Sequence, residues 1–334
     1  MKKCLITGVN GFVGRHLLQY FDMLETDITE ILGVDYSPET AAFTHQRQPF
    51  SYRFEQVDLT EPEPFTSLAN DFDPDWLIHL AAESSVAASW RDPDRCMTNN
   101  WNMTYNTVRF LKLRPIQYQP KCRMLAVGSS EVYGYRENWE EPLEESQQRR
   151  PYNPYAASRV HQEDWIQLNV KWHKLNIVST RSFNHTGPGQ SDRFVVPSFI
   201  RQLLEAKKNG QKTVHLKTGD VRLIRDFSDV RDVVRAYHLL LEHGQSGEVY
   251  NVCRGEGISL LNIIEILAEM LKLDVTIEID ETLRRRGEPP IVIGNPEKIF
   301  RATGWKSQVP LEQTLKEMIQ KQLKGTSKNP LVII

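Results

Sequence analysis

The sequence predicts an α/β fold: a doubly wound parallel sheet with a smaller C-terminal α/β region behind it. Three observations predict this. Up to about residue 180, short apolar runs alternate with longer segments of helical period, the texture of repeated βαβ units. The first run, CLIT, opens directly into GVNGFVG and then into an amphipathic stretch. Beyond residue 181 the texture changes to loops rich in Gly, Pro and Asn (FNHTGPGQ, VCRGEG, RRRGEPP) among shorter elements. That change implies a second region packed on the carboxyl edge of the sheet, the edge where such folds bind ligands.

Taken in order, the apolar runs are Cys4–Thr7, Ile31–Val34, Trp76–Leu80, Met124–Val127 and Asn176–Thr180. Each has the length and apolar character of a strand covered on both faces. Gly14–Met23 and Ala157–Trp172 have helical period, and the second begins just after two prolines that break any earlier helix. With 334 residues and 40% hydrophobic content the chain can bury a core of enzyme size. A formal net charge of −2 builds no field that asks for nucleic acid or an anionic membrane, so a small molecule is the expected partner. Cys4, Cys96, Cys122 and Cys253 have neither CxxC nor metal-ligand spacing, which predicts reduced thiols, no metal and a cytoplasmic setting. Gly8, Gly11 and Gly14 interrupt the N-terminal apolar run too early for a signal peptide or a membrane span.

Those three glycines lie between a strand and a helix, where they permit a tight turn and the close approach of a pyrophosphate to the helix amino end. Asp35 follows the next strand about twenty positions on, where a carboxylate binds adenosine ribose hydroxyls and repels a 2′-phosphate. The predicted cofactor is therefore NAD, with NADP left open. Asp58, in QVDLT, is either a turn residue or an adenine contact. Further along, MLAVGSSEVY runs from a strand into Ser129, Ser130 and Glu131 at the same sheet edge. Tyr155 opens the helix that follows, and Arg159 faces the same side one turn later. A nearby cation lowers the pKa of a phenol from about 10, as proton exchange with a carbonyl or alcohol requires.

GVNGFVG, the HLAA run at 79–82, GSSEVYG and the YxxxK-like YAASR, in this order, resemble the extended short-chain dehydrogenase/reductase family over nearly the whole chain. The resemblance implies a Rossmann-like fold and a cofactor site drawn from Gly8, Asn10, Gly11, Phe12, Val13, Gly14, Asp35, Asp58, Leu59, Leu80, Ala81, Ala82, Asn100 and Val127, with Tyr155 and Arg159. It makes Ser129 the residue that orients substrate and Tyr155 the acid/base. Arg159 stands where the family has a lysine that holds the nicotinamide ribose and lowers the tyrosine pKa; arginine keeps the charge with a planar, bulkier shape. Family members pair through two helices, which implies a homodimer through segments near 95–112 and 155–172.

In the second region, RSFNHTGPGQSDRFVVPSFI and DVRLIRDFSDVRDVVRAY resemble the branch of that family that reduces GDP-4-dehydro-6-deoxy-D-mannose. This implies a GDP-linked 6-deoxyhexose as substrate, with Ser130, Asn184 and Val196 beside it and Arg225 and Arg285 on phosphate or ribose oxygens. The alternative is the GDP-mannose 4,6-dehydratase branch, in which Glu131 stands at the place of the base, or another sugar-nucleotide epimerase or dehydratase; a third reading is a catalytically weak NAD-binding sensor. The expected division is 1–180, joined by about 226–252, for the cofactor region, and 181–225 with 253–334 for the nucleotide-sugar region.

Overall fold

The structure, a computed structural model, describes residues 1–39, 43, 47, 49–114, 121–136, 139, 141–284 and 287–326. Its large region runs β1 (Lys2–Thr7), α1 (Phe12–Met23), β2 (Ile28–Asp35), β3 (Ser51–Gln56), α2 (Pro62–Phe72), β4 (Trp76–His79), α3 (Val86–Arg91), α4 (Pro93–Leu113), β5 (Arg123–Ser129), α5 (Pro154–His173) and β6 (Ile177–Ser182). The chain then forms β7 (Asn184–Thr186), α6 (Val195–Lys208), β8 (Thr213–Thr218) and β9 (Ile224–Asp229) before returning through α7 (Val230–His243) and β10 (Val249–Val252). It ends with β11 (Gly257–Ser259), α8 (Leu260–Leu271), β12 (Asp274–Ile279), β13 (Ile291–Val292), α9 (Glu297–Thr303) and α10 (Leu311–Thr326).

Seven parallel strands form the main sheet in the order β10-β6-β5-β4-β1-β2-β3. Strand residues alternate between two cores, as the pleat requires. Cys4, Ile6, Leu125 and Val178 face a cluster with α1 and α7, whereas Leu5, Met124, Ala126 and Ile177 face one with α2, α4 and α5. Both faces are thus covered, which is why the strands read as continuous apolar runs. The five expected strands are all present, within two or three residues at each end. The edge strands β3 and β10 did not stand out as apolar runs: β3, SYRFEQ, is nowhere fully buried and β10 is only four residues long.

The small region is built round β9, which pairs with β7, β11 and β13, while β8 and β12 form a separate pair. Its own core unites α6, α8 and α10 through Phe199, Leu203, Ile263, Leu267, Leu315 and Met318. Among the described residues no helix is long and apolar enough to cross a membrane.

Candidate active site

The strand-to-helix turn after β1 is shaped by close backbone contacts. Gly8 has φ +71, donates its N–H to the Val34 carbonyl at 2.8 Å, and lies so near the turn after β4 that a Cβ would stand 2.8 Å from the Ala81 nitrogen. At Gly14 a Cβ would come within 2.5 Å of the Val9 carbonyl oxygen, so only glycine lets α1 start this close to the strand. Gly11 caps α1 without any side-chain bond to the helix amides, which leaves the amino end for an anion. Phe12 stacks on His185 with ring centroids 6.3 Å apart, so β7 lies against the start of α1, and Val13 packs into the main core.

Asp35 is 7% exposed at the end of β2. One carboxylate oxygen accepts the Asn10 amide at 3.1 Å; the other accepts the Ser37 amide and hydroxyl at 3.0 and 2.8 Å. Asn10 binds back to the carbonyls of Ser37 and Pro38, so the glycine turn and the end of β2 are one hydrogen-bonded unit. Asp58 is exposed and accepts the Thr60 amide and hydroxyl, the geometry of a turn residue, and Leu59 is core. Leu80 and Ala81 lead the chain off β4 over Gly8, their amides bonded to the Thr7 carbonyl and hydroxyl, and Ala82 follows them, half-buried. Asn100 is buried rather than a helix-surface amide: it accepts the Glu83 amide at 2.8 Å and donates to Ser158 at 2.9 Å, tying this turn to α5.

The candidate acid-base residues lie on β5 and α5. Ser129 ends β5 and its hydroxyl accepts the Glu131 amide at 3.2 Å, capping a single tight turn over Ser130–Tyr133. Val127 precedes it on the strand and Ser130 is buried behind it. Tyr155 (7% exposed) and Arg159 (5%) lie on α5 with the guanidinium carbon 5.0 Å from the phenol ring centroid. Arg159 Nη1 donates to Gln162 at 2.7 Å, its buried Nε has no partner, and no carboxylate among the described residues pairs with it. A buried cation with an unused donor is uncompensated as it stands and fits hydroxyl or phosphate oxygens of a ligand. Nearby His79 is fully buried; burial first, then the Arg159 charge, push its imidazole down to about 3, so it is neutral.

Two neighbours of Tyr155 were not anticipated. Asn153 caps α5 by accepting the Ala156 amide at 2.7 Å, and donates to Glu131 Oε2 at 2.9 Å. Tyr152 also bonds Glu131, and burial followed by that carboxylate pushes its phenol up. Asn-Pro ahead of the helix was the available signal: an Asn cap followed by Pro at the first helical position. Pro154 therefore starts the helix instead of only ending what precedes it.

On the substrate side, Asn184 is half-buried at the start of β7, paired with Phe227 of β9. Arg225 is 7% exposed and donates to Glu288 at 3.0 Å and to the carbonyls of Ile224 and Pro290, so its fork is partly occupied by protein. Val196 belongs to the small region's core at 1% exposure. Arg285 lies outside the described residues. His185 donates from Nδ1 to the Phe183 carbonyl at 3.0 Å, and burial lowers its pKa, as suits a structural residue.

These elements fit a dinucleotide: glycine-shaped turn, open helix end, carboxylate after β2 and a buried unpaired cation beside the tyrosine. The family model described as GDP-mannose 4,6 dehydratase matches residues 5–318. GDP-6-deoxy-D-mannose reductase of Pseudomonas aeruginosa is 33% identical over 95% of this chain and 96% of its own. GDP-mannose 4,6-dehydratase of Vibrio cholerae is 24% identical over 99% and 96%. The structure of RMD from Pseudomonas aeruginosa complexed with NADPH superimposes with a TM-score of 0.80 at 31% identity, covering 96% of this chain and 99% of that one. With its seven-stranded parallel sheet and this match along nearly its full length, the chain belongs to the GDP-mannose 4,6 dehydratase family within the extended short-chain dehydrogenases/reductases.

Proposed function

We propose that this chain is a nucleotide-sugar oxidoreductase that reduces the C4 keto group of GDP-4-dehydro-6-deoxy-D-mannose. The observation that carries the reading is the buried Tyr155–Arg159 pair, one helical turn apart on α5, in the same chain as a glycine turn shaped for a pyrophosphate. NAD(H), held by the Gly8–Gly14 turn, Asp35 and Arg159, supplies hydride chemistry when bound. Tyr155 donates its proton to the C4 oxygen, Ser129 hydrogen-bonds that oxygen, and Arg159 supplies a positive field that favours the phenolate left behind. Asn184 and Arg225 serve the sugar diphosphate, for which a planar fork suits phosphate oxygens. Asp35 favours NADH, because its buried carboxylate would face a 2′-phosphate.

A second reading, GDP-mannose 4,6-dehydratase, is favoured by Glu131, whose carboxylate is held by Asn153 at 2.9 Å at this site. One assay separates the two. Purified protein given the keto-sugar is expected to oxidise NADH, with kcat/KM at least ~10-fold above NADPH, about 1.4 kcal/mol of discrimination. Loss of water from GDP-mannose without net cofactor consumption would instead install the dehydratase. Cofactor binding with silence in both would favour the sensor.

The homodimer belongs to the same proposal. α4 and α5 pack side by side and present Trp101, Tyr105 and Trp172 at 36%, 37% and 68% exposure. Such a patch is what a two-helix pairing face would cover. Light scattering at micromolar concentration is expected to give twice the 38.7 kDa chain mass; a monomer would remove the dimer. A cytoplasmic setting accords with four buried, unpaired cysteines.

A further inference from the structure

Arg159 is held by a neutral residue. Gln162, 3% exposed, accepts from Arg159 Nη1 at 2.7 Å and donates from Nε2 to the Val127 carbonyl at 3.4 Å. The amide therefore has one orientation that satisfies both ends; a flip would set its NH2 against the guanidinium and its oxygen against the carbonyl. Through it the cation on α5 is tied to β5, two residues before Ser129. A carboxylate at this place would bind the guanidinium more strongly and cancel its charge, whereas an apolar side chain would leave a flexible cation without a guide. We infer that Gln162 is a positioning residue that lets an arginine work beside Tyr155: it holds the guanidinium over the phenol ring and leaves the full positive charge for the tyrosine and a bound cofactor. This rests on Tyr155 being the proton donor of the proposed reaction.

The groups that face the pair from the packed elements leave that charge unscreened. His79 at the end of β4, Cys96 of α4 and Tyr237 of α7 are all uncharged near neutral pH: burial pushes the imidazole down and the thiol and phenol up. Glu163, next to Gln162 on α5, has both carboxylate oxygens on Arg181.

The test titrates Tyr155 by ultraviolet difference spectra, each protein read against the same protein carrying Tyr155→Phe, so that no turnover is needed. Gln162→Glu is expected to raise the midpoint by about one pH unit, because the new carboxylate offsets the cation. The alkaline limb of keto-sugar reduction moves up with it, since the acid stays protonated to higher pH. Gln162→Met, neutral and of similar length, is expected to weaken NADH binding several-fold with an unchanged melting temperature. A folded Gln162→Glu whose midpoint does not move overturns the inference; if that variant does not fold, Gln162→Met with unaltered NADH affinity overturns it. Turnover of the keto-sugar with an unmoved midpoint would sink this inference alone. A moved midpoint in a protein that reduces no keto-sugar would sink the functional reading and keep the tie between Gln162 and Arg159.

Discussion

Replacing Tyr155 by phenylalanine is expected to lower kcat for keto-sugar reduction by at least ~100-fold, the low end of what a positioned general acid contributes. The change removes one hydroxyl and nothing that supports the fold. The ring stays in its 7% exposed site, and the start of α5 is set by the Asn153 cap and by Pro154. NADH affinity should hold within a few-fold, because Arg159 keeps its bond to Gln162. Steady-state kinetics, set beside a melting curve and a binding titration, separate loss of chemistry from loss of structure. Activity within a few-fold of the parent would move the proton to another group, with Glu131 the first to examine.

The second large effect concerns stability. Glu163 of α5 and Arg181 of β6 form a two-pronged ion pair, both bonds 2.9 Å, with side chains 5% and 6% exposed. Arg181 also lies 4.7 Å over the Tyr133 ring and donates to the Glu145 carbonyl, while Tyr133 donates to Asn251 at 2.6 Å. Arg181→Met leaves a buried carboxylate with only the 3.4 Å contact to Arg149, and is expected to cost about 3–5 kcal/mol in denaturant unfolding. The double variant Arg181→Met, Glu163→Met should recover most of that loss, because an apolar pair removes the desolvation of two charges. If the single variant unfolds at the parent's midpoint, water or Arg149 already compensates Glu163.

Much of the fold was legible in the sequence because a strand covered on both faces leaves an apolar run; β1, β2, β4, β5 and β6 all do so. The edge strand β3 does not, since its side chains are exposed or half-buried and carry Arg53 and Glu55. At the candidate site, Gly8 and Gly14 were readable because the close backbone approaches there demand glycine, whereas Asp35, Ser129 and Tyr155 were singled out by the chemistry of the proposed reaction. Asn153 carried a signal in the Asn-Pro pair that opens α5; Gln162 carried none, because a hydrogen-bonding amide looks the same in sequence whether it orients a cation or faces solvent.

The order in which the chain visits its two regions bears on how it folds during synthesis. The core against α1 is closed by Val233, Tyr237 and Leu240 of α7, Tyr250 of β10, and finally Ile299 and Trp305. All of these emerge after β7, α6, β8 and β9, and the last two after α8 as well. The amino-terminal strands therefore leave the ribosome with one face covered by α1 alone and the β6 edge unpaired, until α7 and β10 follow. Such a half-covered parallel sheet is the kind of species that chaperones hold, so the sheet that begins at the first residue is closed only by segments made after the chain has left it and returned.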